Sequence, residues 1–426
     1  MDPRFRLPVL RHFGRQSGGR RTVGNRTVGN WRVFLADTGA AVLYQSPGMA
    51  LMGLLAFVAT KRLDAPLAWV GIIGSSGYFG YLWNSLFSTL TSKLSLRRSI
   101  VVIMLASGVL LYGGALQRAY LPYCLIVVVF LLVLGLFEVQ YNTLVYYLYG
   151  SDIRSKRLSQ RHLATALAWM VLSALFGRIS AGSRGHLPAF LLAGTMMIAG
   201  AFVFRGVRTR VDHRMKPFRP WDIVGAIFRD PRFVRVAGIL TLYGWVGAGV
   251  GTLLVVLYKQ AGFDEWQVGV LKATMTAGTI LATLTITPML NFRGGISNFR
   301  LCFSATCATI IIFLAISVAR IGGQAFWAYA LANLVFGVAN AGFTLATQTT
   351  AINLAPEGQV TIYVNGLMIV QGARGILAPV LVAAVLEALG MRVSLCIAAA
   401  VSLVCVLIVW LPGIDGELRK PLAPRK

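Results

Sequence analysis

Acidic residues are scarce in this chain: 14 Asp and Glu among 426 residues, against 40 Lys and Arg. Charged residues of both signs reach only 13%, about half the share of a soluble globular domain. That shortage excludes an ordinary water-exposed surface for most of the chain. Cysteine and histidine are also few, five and four. All five Cys (124, 302, 307, 396 and 405) lie inside long apolar runs, where a thiol behaves as a small hydrophobe and reports nothing about redox compartment. The four His (12, 162, 186 and 213) fall between the runs or at their ends, so a His/Cys metal cluster in the apolar part is not expected. No catalytic triad, zinc-helix motif or phosphate loop occurs, which argues against a membrane enzyme and gives no cofactor to expect. The glycines at 244, 247, 249 and 251 lie within an apolar run, not between a strand and a helix, and read as close helix packing.

What is abundant is apolar sequence: 57% of residues, with a mean hydropathy of +0.71. It comes in runs of about 20 or more residues, the length a helix needs to cross the hydrocarbon core. The runs do not alternate between two faces as barrel strands do. An all-α integral membrane protein is expected, with spans near 33–59, 67–91, 99–117, 121–148, 163–182, 187–205, 236–258, 266–290, 300–319, 324–352, 361–386 and 393–412. Trp31, Trp69, Trp221, Trp266, Trp327 and Trp410 fall near the ends of these spans, as residues of the headgroup zone do.

The net charge of +26 raises nucleic acid as a partner, but the location of the bases answers it. With the amino terminus inside, 30 Lys and Arg lie on the cytoplasmic side and seven on the other: Lys61, Arg62, Arg118, Arg184, Lys259, Arg320 and Arg392. This asymmetry is the positive-inside rule, and it puts both termini in the cytoplasm. The partner of the basic excess is the lipid bilayer, not nucleic acid. The Arg-rich start, residues 1–32, has no apolar core of a signal peptide and reads as a cytoplasmic tail. Arg outnumbers Lys 32 to 8, a bias that suits a GC-rich bacterial genome. The expected location is the inner (plasma) membrane of a bacterium or an internal membrane derived from it.

A basic stretch at about 206–235, with nine Lys and Arg counted from Arg205, separates six spans from six. The chain divides into a tail (1–32), a six-helix bundle (33–205), the linker (206–235, with a short surface helix near Trp221–Phe228), a second six-helix bundle (236–412) and a tail (413–426). The halves align at an offset of about 200 residues. Val70-Gly71 matches Val268-Gly269, and the basic turn after Leu94 matches Leu290 and Arg293. Leu134-Gly135-Leu-Phe-Glu138 matches Phe336-Gly337-Val-Ala-Asn340, and the segment from Phe176 through Arg178 to Ala181 resembles that from Ala373 and Arg374 to Ala378. Two halves of one orientation make a parallel 6+6 pseudo-repeat.

On these features the chain resembles the major facilitator superfamily over nearly its whole length. Between spans 2 and 3 the family carries a Gly-x-Leu-Ala-Asp-Arg-x-Gly-Arg-Arg-like turn. Here Leu90, Lys93, Arg97 and Arg98 fit that pattern, while both glycines and the acid are replaced by Ser. The stretch from Ala355-Pro356-Glu357 through Gly372 and Arg374 to Pro379 resembles the family's loop 10–11 and eleventh span. The fourth-span Arg of proton-driven drug exporters is absent from Leu132–Asn142, and no subfamily is identified. The resemblance implies alternating access, with Lys93, Arg97 and Arg98 as a gating loop. Gly71, Gly74, Gly77 and Gly80, spaced by three, form a smooth ridge for such sliding.

Charges inside the spans are the sharpest site candidates, because a charge at mid-bilayer costs about 3 kcal/mol on insertion scales and must face a cavity or a partner. Asp37, a turn inside the first span, suits a cap or ion pair. Glu138, deep in span 4 with Gln140 and Asn142 near it, suits proton or substrate coupling. Arg374 is deep in span 11 with Asn365 and Gln371 on the same helix. Lys272 lies two turns into span 8, and Arg178 near the end of span 5. Gln45, Asn333, Asn340 and Gln348 are neutral hydrogen-bonders of spans 1 and 10. The expected function is secondary active transport of a small solute, by symport or antiport, with protons carried through Glu138. Two deep bases suit an anionic metabolite. The alternatives are a cation transporter of the same fold, for iron as an example, with Glu138 as an oxygen ligand, and a transport-inactive assembly factor or sensor. A monomer is expected, and oligomers are compatible with the sequence.

Overall fold

A computed structural model describes residues 31–90, 94–149, 151–207, 230–285, 295–319, 325–354 and 360–411, with the isolated residues 225 and 228. The amino-terminal tail up to residue 30, Lys93, most of the linker including the proposed surface helix, the 355–359 loop and the carboxy-terminal tail from 412 lie outside the described residues, as does the side chain of Gln348.

Every regular element among the described residues is helical. They are α1 (Trp31–Arg62), α2 (Leu67–Leu90), α3 (Leu96–Ala115), α4 (Tyr120–Leu148), α5 (Ser151–Ser180), α6 (Leu187–Phe204), α7 (Pro231–Gln260), α8 (Glu265–Leu284), α9 (Gly295–Ala319), α10 (Phe326–Leu354) and α11 (Val360–Trp410). The last is two helices joined at Gly390, whose φ of 78° and ψ of 172° break the helix. The described helices therefore number twelve. Seven runs among them are long and apolar enough to cross a membrane. Val102, Val109, Leu125, Val129, Val171, Ile311 and Leu407 are exposed on the outside, and so are Trp31, Trp327 and Trp410 near helix ends. An apolar exterior with a Trp fringe is what a lipid-facing surface requires.

The largest departure from the expected spans is in α5, which starts at Ser151 and not near 163. The added segment carries four bases and so fails any hydropathy criterion, but its Arg, Lys, Gln and Leu are good helix formers. Arg157, Arg161 and His162 are consequently helical.

Glycines set the closest helix contacts. A Cβ at Gly135 of α4 would strike the Gly77 carbonyl of α2, and one at Gly80 would lie 2.5 Å from the Leu132 carbonyl. Positions about 200 residues on behave alike: Gly337 of α10 sits against the Met275 carbonyl of α8, and Gly278 against the Leu334 carbonyl. Two further pairs join the first six helices to the rest. A Cβ at Gly71 of α2 would lie 2.9 Å from the Pro379 carbonyl of α11, and one at Gly177 of α5 would lie 2.8 Å from Gly269 Cα of α8. The glycine ridge of α2 is thus split: Gly71 and Gly74 face α11, while Gly77 and Gly80 face α4.

Gly135→Ala should lower the unfolding temperature in detergent, by the equivalent of about 1–3 kcal/mol, because backbone must move to admit the methyl. Gly251→Ala, where nothing lies within 4 Å, should be neutral or stabilising by up to about 1 kcal/mol. Equal responses at the two positions would contradict this packing.

Candidate functional site

The charged and hydroxyl side chains inside the bundle form a connected set. Glu138 of α4 accepts a hydrogen bond from the Tyr81 hydroxyl of α2 at 2.7 Å. Tyr81 lies edge-on to Tyr78, ring centroids 5.9 Å apart, and Tyr78 packs against Gly375 of α11. Next to Gly375, Arg374 is buried, close-packed on Gly244 of α7, with its guanidinium carbon 5.2 Å from the Phe343 ring of α10. Tyr78 and Tyr81 are each within electrostatic reach of both Glu138 and Arg374. A tyrosine pair therefore spans the gap between an acid of α4 and a base of α11. Gln371 and Asn365 are buried on the same helix as Arg374, Asn142 is exposed, and Asn340 is half-buried.

Lys272 of α8 lies across α1, where Gly53 leaves room for its stem: a Cβ there would come within 2.5 Å of the Lys272 Cε. Its ammonium is 3.7 Å from the Met275 sulfur, and no carboxylate among the described residues pairs with it. A thioether is a weak acceptor and no counter-ion.

Asp37, expected to cap or pair near a helix end, is fully buried. Tyr141 donates to its two oxygens at 2.9 and 2.7 Å, and Tyr149 donates to Oδ2 at 2.6 Å. Arg161 of α5 brings its Nε to 3.6 Å from Oδ2 and donates from Nη2 to Gln45 Oε1 at 2.7 Å. Arg161 is a functional candidate that the sequence reading missed, because a hydropathy boundary at 163 left it in a loop. Its signal was the good helix-forming run before it. Arg178 is exposed, 5.7 Å from the Trp266 ring, as an interfacial base should be. Arg97 donates to the Val207 carbonyl at 3.2 Å, and Arg98 takes the Ser95 cap through its backbone N–H.

A second polar cluster, unforeseen from sequence, closes the end where α1, α5 and α7 finish and α8 starts. Helix α7 ends in a Schellman turn: Gly262 takes φ 76°, its N–H bonds the Lys259 carbonyl, and the Phe263 N–H bonds the Tyr258 carbonyl. The turn presents the Phe263 carbonyl to Lys61 Nζ at 2.5 Å. Asp264 then caps α8 in a capping box with Gln267, and Glu265 enters the first turn, where the helix dipole favours an acid. Arg62 Nε pairs with Glu265 Oε1 at 2.5 Å and its Nη2 donates to the Ser180 carbonyl at 2.7 Å. Lys259 Nζ donates back to the Thr60 carbonyl at 2.7 Å. These bonds tie α1 and α5 to α7 and α8.

No known-family profile matches this sequence, and no curated protein matches it. Solved structures do match. The nucleoside transporter NupG superposes with a TM-score of 0.71 at 14% identity, covering 91% of this chain and 100% of that one. The peptide transporter POT gives 0.74 at 12% identity, covering 92% and 97%. The human organic anion transporter MFSD10 (TETRAN) gives 0.62 at 15% identity, covering 89% and 99%. The chain has the major-facilitator fold. This fold, with several helices able to span a bilayer, makes it a multi-pass membrane protein. Identities this low carry the fold and leave the solute open.

His186, in the turn before α6, lies beside the Arg62 cluster and packs edge-on to Tyr123 and Phe190. Burial, and next the Arg62 guanidinium, hold its imidazole below the ordinary histidine range. The unfolded chain then binds the proton more readily, so stability is full above about pH 6.5 and falls as the pH drops below it. The unfolding temperature should decline from about pH 7.5 to 5.5, and less steeply in His186→Gln. An identical decline in the variant would remove His186 from this role.

Proposed function

We propose that this protein is a secondary active transporter that moves a small anionic solute by alternating access, with Glu138 carrying the coupling proton. The two moving bodies are six-helix halves, 33–205 and 236–412, joined by the linker 206–235. Matched glycines making matched contacts, Gly135 with Gly337 and Gly71 with Gly269, support that division. The charge asymmetry puts both termini in the cytoplasm of a bacterial inner membrane or a membrane derived from it. The Arg62–Glu265 cluster is then the outer gate of the transporter.

The observation that carries the solute class is Lys272. Its ammonium lies within the helix bundle, where the Met275 sulfur is its one contact among the described residues, and a charge at such depth without an acid beside it is costly enough to imply a counter-ion. A carboxylate or phosphate of the solute supplies it. Arg374 of α11, packed on α7, adds a second base in the same half, and the Tyr78–Tyr81 pair connects it to the acid on the other half. Solute and proton sites thus lie on different halves and share one aromatic link, a layout suited to coupling their occupancy.

A ligand panel read by thermal unfolding tests this reading. A solute bearing a carboxylate or phosphate, at 100 times its dissociation constant, should stabilise by about 2.7 kcal/mol. Lys272→Ala and Arg374→Ala should lose that response while still unfolding cooperatively. Stabilisation by metal cations alone, abolished by Glu138→Gln, would replace the anion reading with a cation transporter. No response to any solute would favour a transport-inactive role.

A further inference from the structure

Among the described residues two bases are buried, Arg161 and Arg374. Arg161 lies beside Asp37, one of the two acids within the expected spans of the amino-terminal half, Glu138 being the other. Its guanidinium carbon lies 3.9 Å from the centroid of the Tyr141 ring, and its Nε 3.6 Å from Asp37 Oδ2. Tyr141 follows Glu138 by three residues on α4, so the two project from one face of that helix. Glu138 is accordingly within electrostatic reach of Arg161.

The hydrogen bonding is uneven in an informative way. Asp37 already accepts three hydroxyl contacts, from Tyr141 at both oxygens and from Tyr149. It does not depend on Arg161 for a donor. Arg161 spends one donor on Gln45, and its Nε makes no hydrogen bond at all. A guanidinium beside a saturated carboxylate, with a donor uncommitted, is a cation whose field is available to the second acid a turn away. Glu138, by contrast, receives one hydroxyl, from Tyr81.

We propose that Arg161 is the shared counter-cation of Asp37 and Glu138, a positioning residue that sets how readily Glu138 takes up its proton, with Asp37 competing for it. This rests on the reading of Glu138 as the proton carrier. With Glu138 ionised, Arg161 serves two carboxylates and the cluster carries one net negative charge. With Glu138 protonated from cytoplasmic water, Arg161 and Asp37 form a neutral pair and Glu138 stands neutral beside them. Proton uptake therefore removes the cluster's net charge, a change that favours a rearrangement into a less hydrated state.

Among the described residues, the other groups facing this cluster do not supply an alternative cation at the same distance. From α2 come the Tyr78 and Tyr81 hydroxyls, and from α1 Tyr44, held by Ser107 of α3 at 2.9 Å. From α5 come His162, next to Arg161, and Arg157, which is drawn off to the rings of Trp31 and Phe34 at 4.3 and 4.4 Å. From α11 comes Arg374, which reaches Glu138 through the tyrosine pair.

Infrared difference spectroscopy of the full protein in lipid, titrated over roughly pH 4 to 9, reads the protonated carboxyl directly. The Glu138 band is the carboxylic C=O stretch that Glu138→Gln removes. Arg161→Gln should raise its midpoint by about one pH unit or more. Arg161→Lys should keep it near that of the native chain, and Asp37→Asn should lower it, because the cation is then undivided. The last two variants stay close to the native side chains in size, and cooperative thermal unfolding of each excludes misfolding as the explanation. A Glu138 midpoint unmoved by both Arg161→Gln and Asp37→Asn overturns the sharing and leaves the proton carrier standing. Absence of any band sensitive to Glu138→Gln overturns both.

Discussion

An ion inside a helix bundle must be partnered by the protein or by something it carries, because the surroundings solvate it poorly. The interior charges of this chain can be ranked by how fully that demand is met. Asp37 is saturated by two tyrosines and has a guanidinium beside it. Glu138 has, among the described residues, a single hydroxyl partner and the same guanidinium within electrostatic reach. Lys272 has a sulfur. The ranking separates scaffold from the proposed working parts: the saturated group holds α1 to α4, and the least satisfied ones are the proposed proton and solute sites.

Backbone approach does the complementary work. Gly177 against Gly269, and Gly71 against Pro379, bring helices of the first six and of the rest together without side chains between them. Such contacts are smooth and carry few specific bonds, so they permit relative motion while keeping the interface dry. Among the described residues, directional bonds gather at one end, where Arg62, Lys61 and Lys259 reach Glu265, the Phe263 carbonyl and the Thr60 carbonyl. Smooth glycine contacts in the middle and a latch of polar bonds at one end are what the proposed alternating-access motion would use.

Much of the helix plan was legible because hydropathy and bilayer length are the same constraint. The span expected at 187–205 is helix α6, Leu187–Phe204, and Pro47 and Pro379 lie inside α1 and α11 as expected of membrane helices. Hydropathy misses charged turns that continue a helix past the apolar run, which hid Arg161 within the start of α5. Charges within spans could be found by eye, since each is an exception to an apolar rule. Their partners could not. Tyr81 pairs with Glu138 across 57 residues, and Arg62 with Glu265 across 203, and nothing local in sequence encodes those distances. The latch in particular draws on residues in turns, where Lys and Glu look like ordinary solvent-facing charges.

The central claim is alternation between two closed ends, and paired spin-label distances test it most directly. One pair, Asp64 and Gln260, brackets the latched end, and the other, Ser159 and Thr285, lies at the opposite ends of α5 and α8; all four are exposed. Exposed Cys396 would be replaced, while Cys124, Cys302, Cys307 and Cys405 are buried. Breaking the latch with Glu265→Gln should populate a second state in which the first distance lengthens as the second shortens. Single, unchanged distances at both ends, across latch variants, pH and candidate solutes, would contradict transport by this fold.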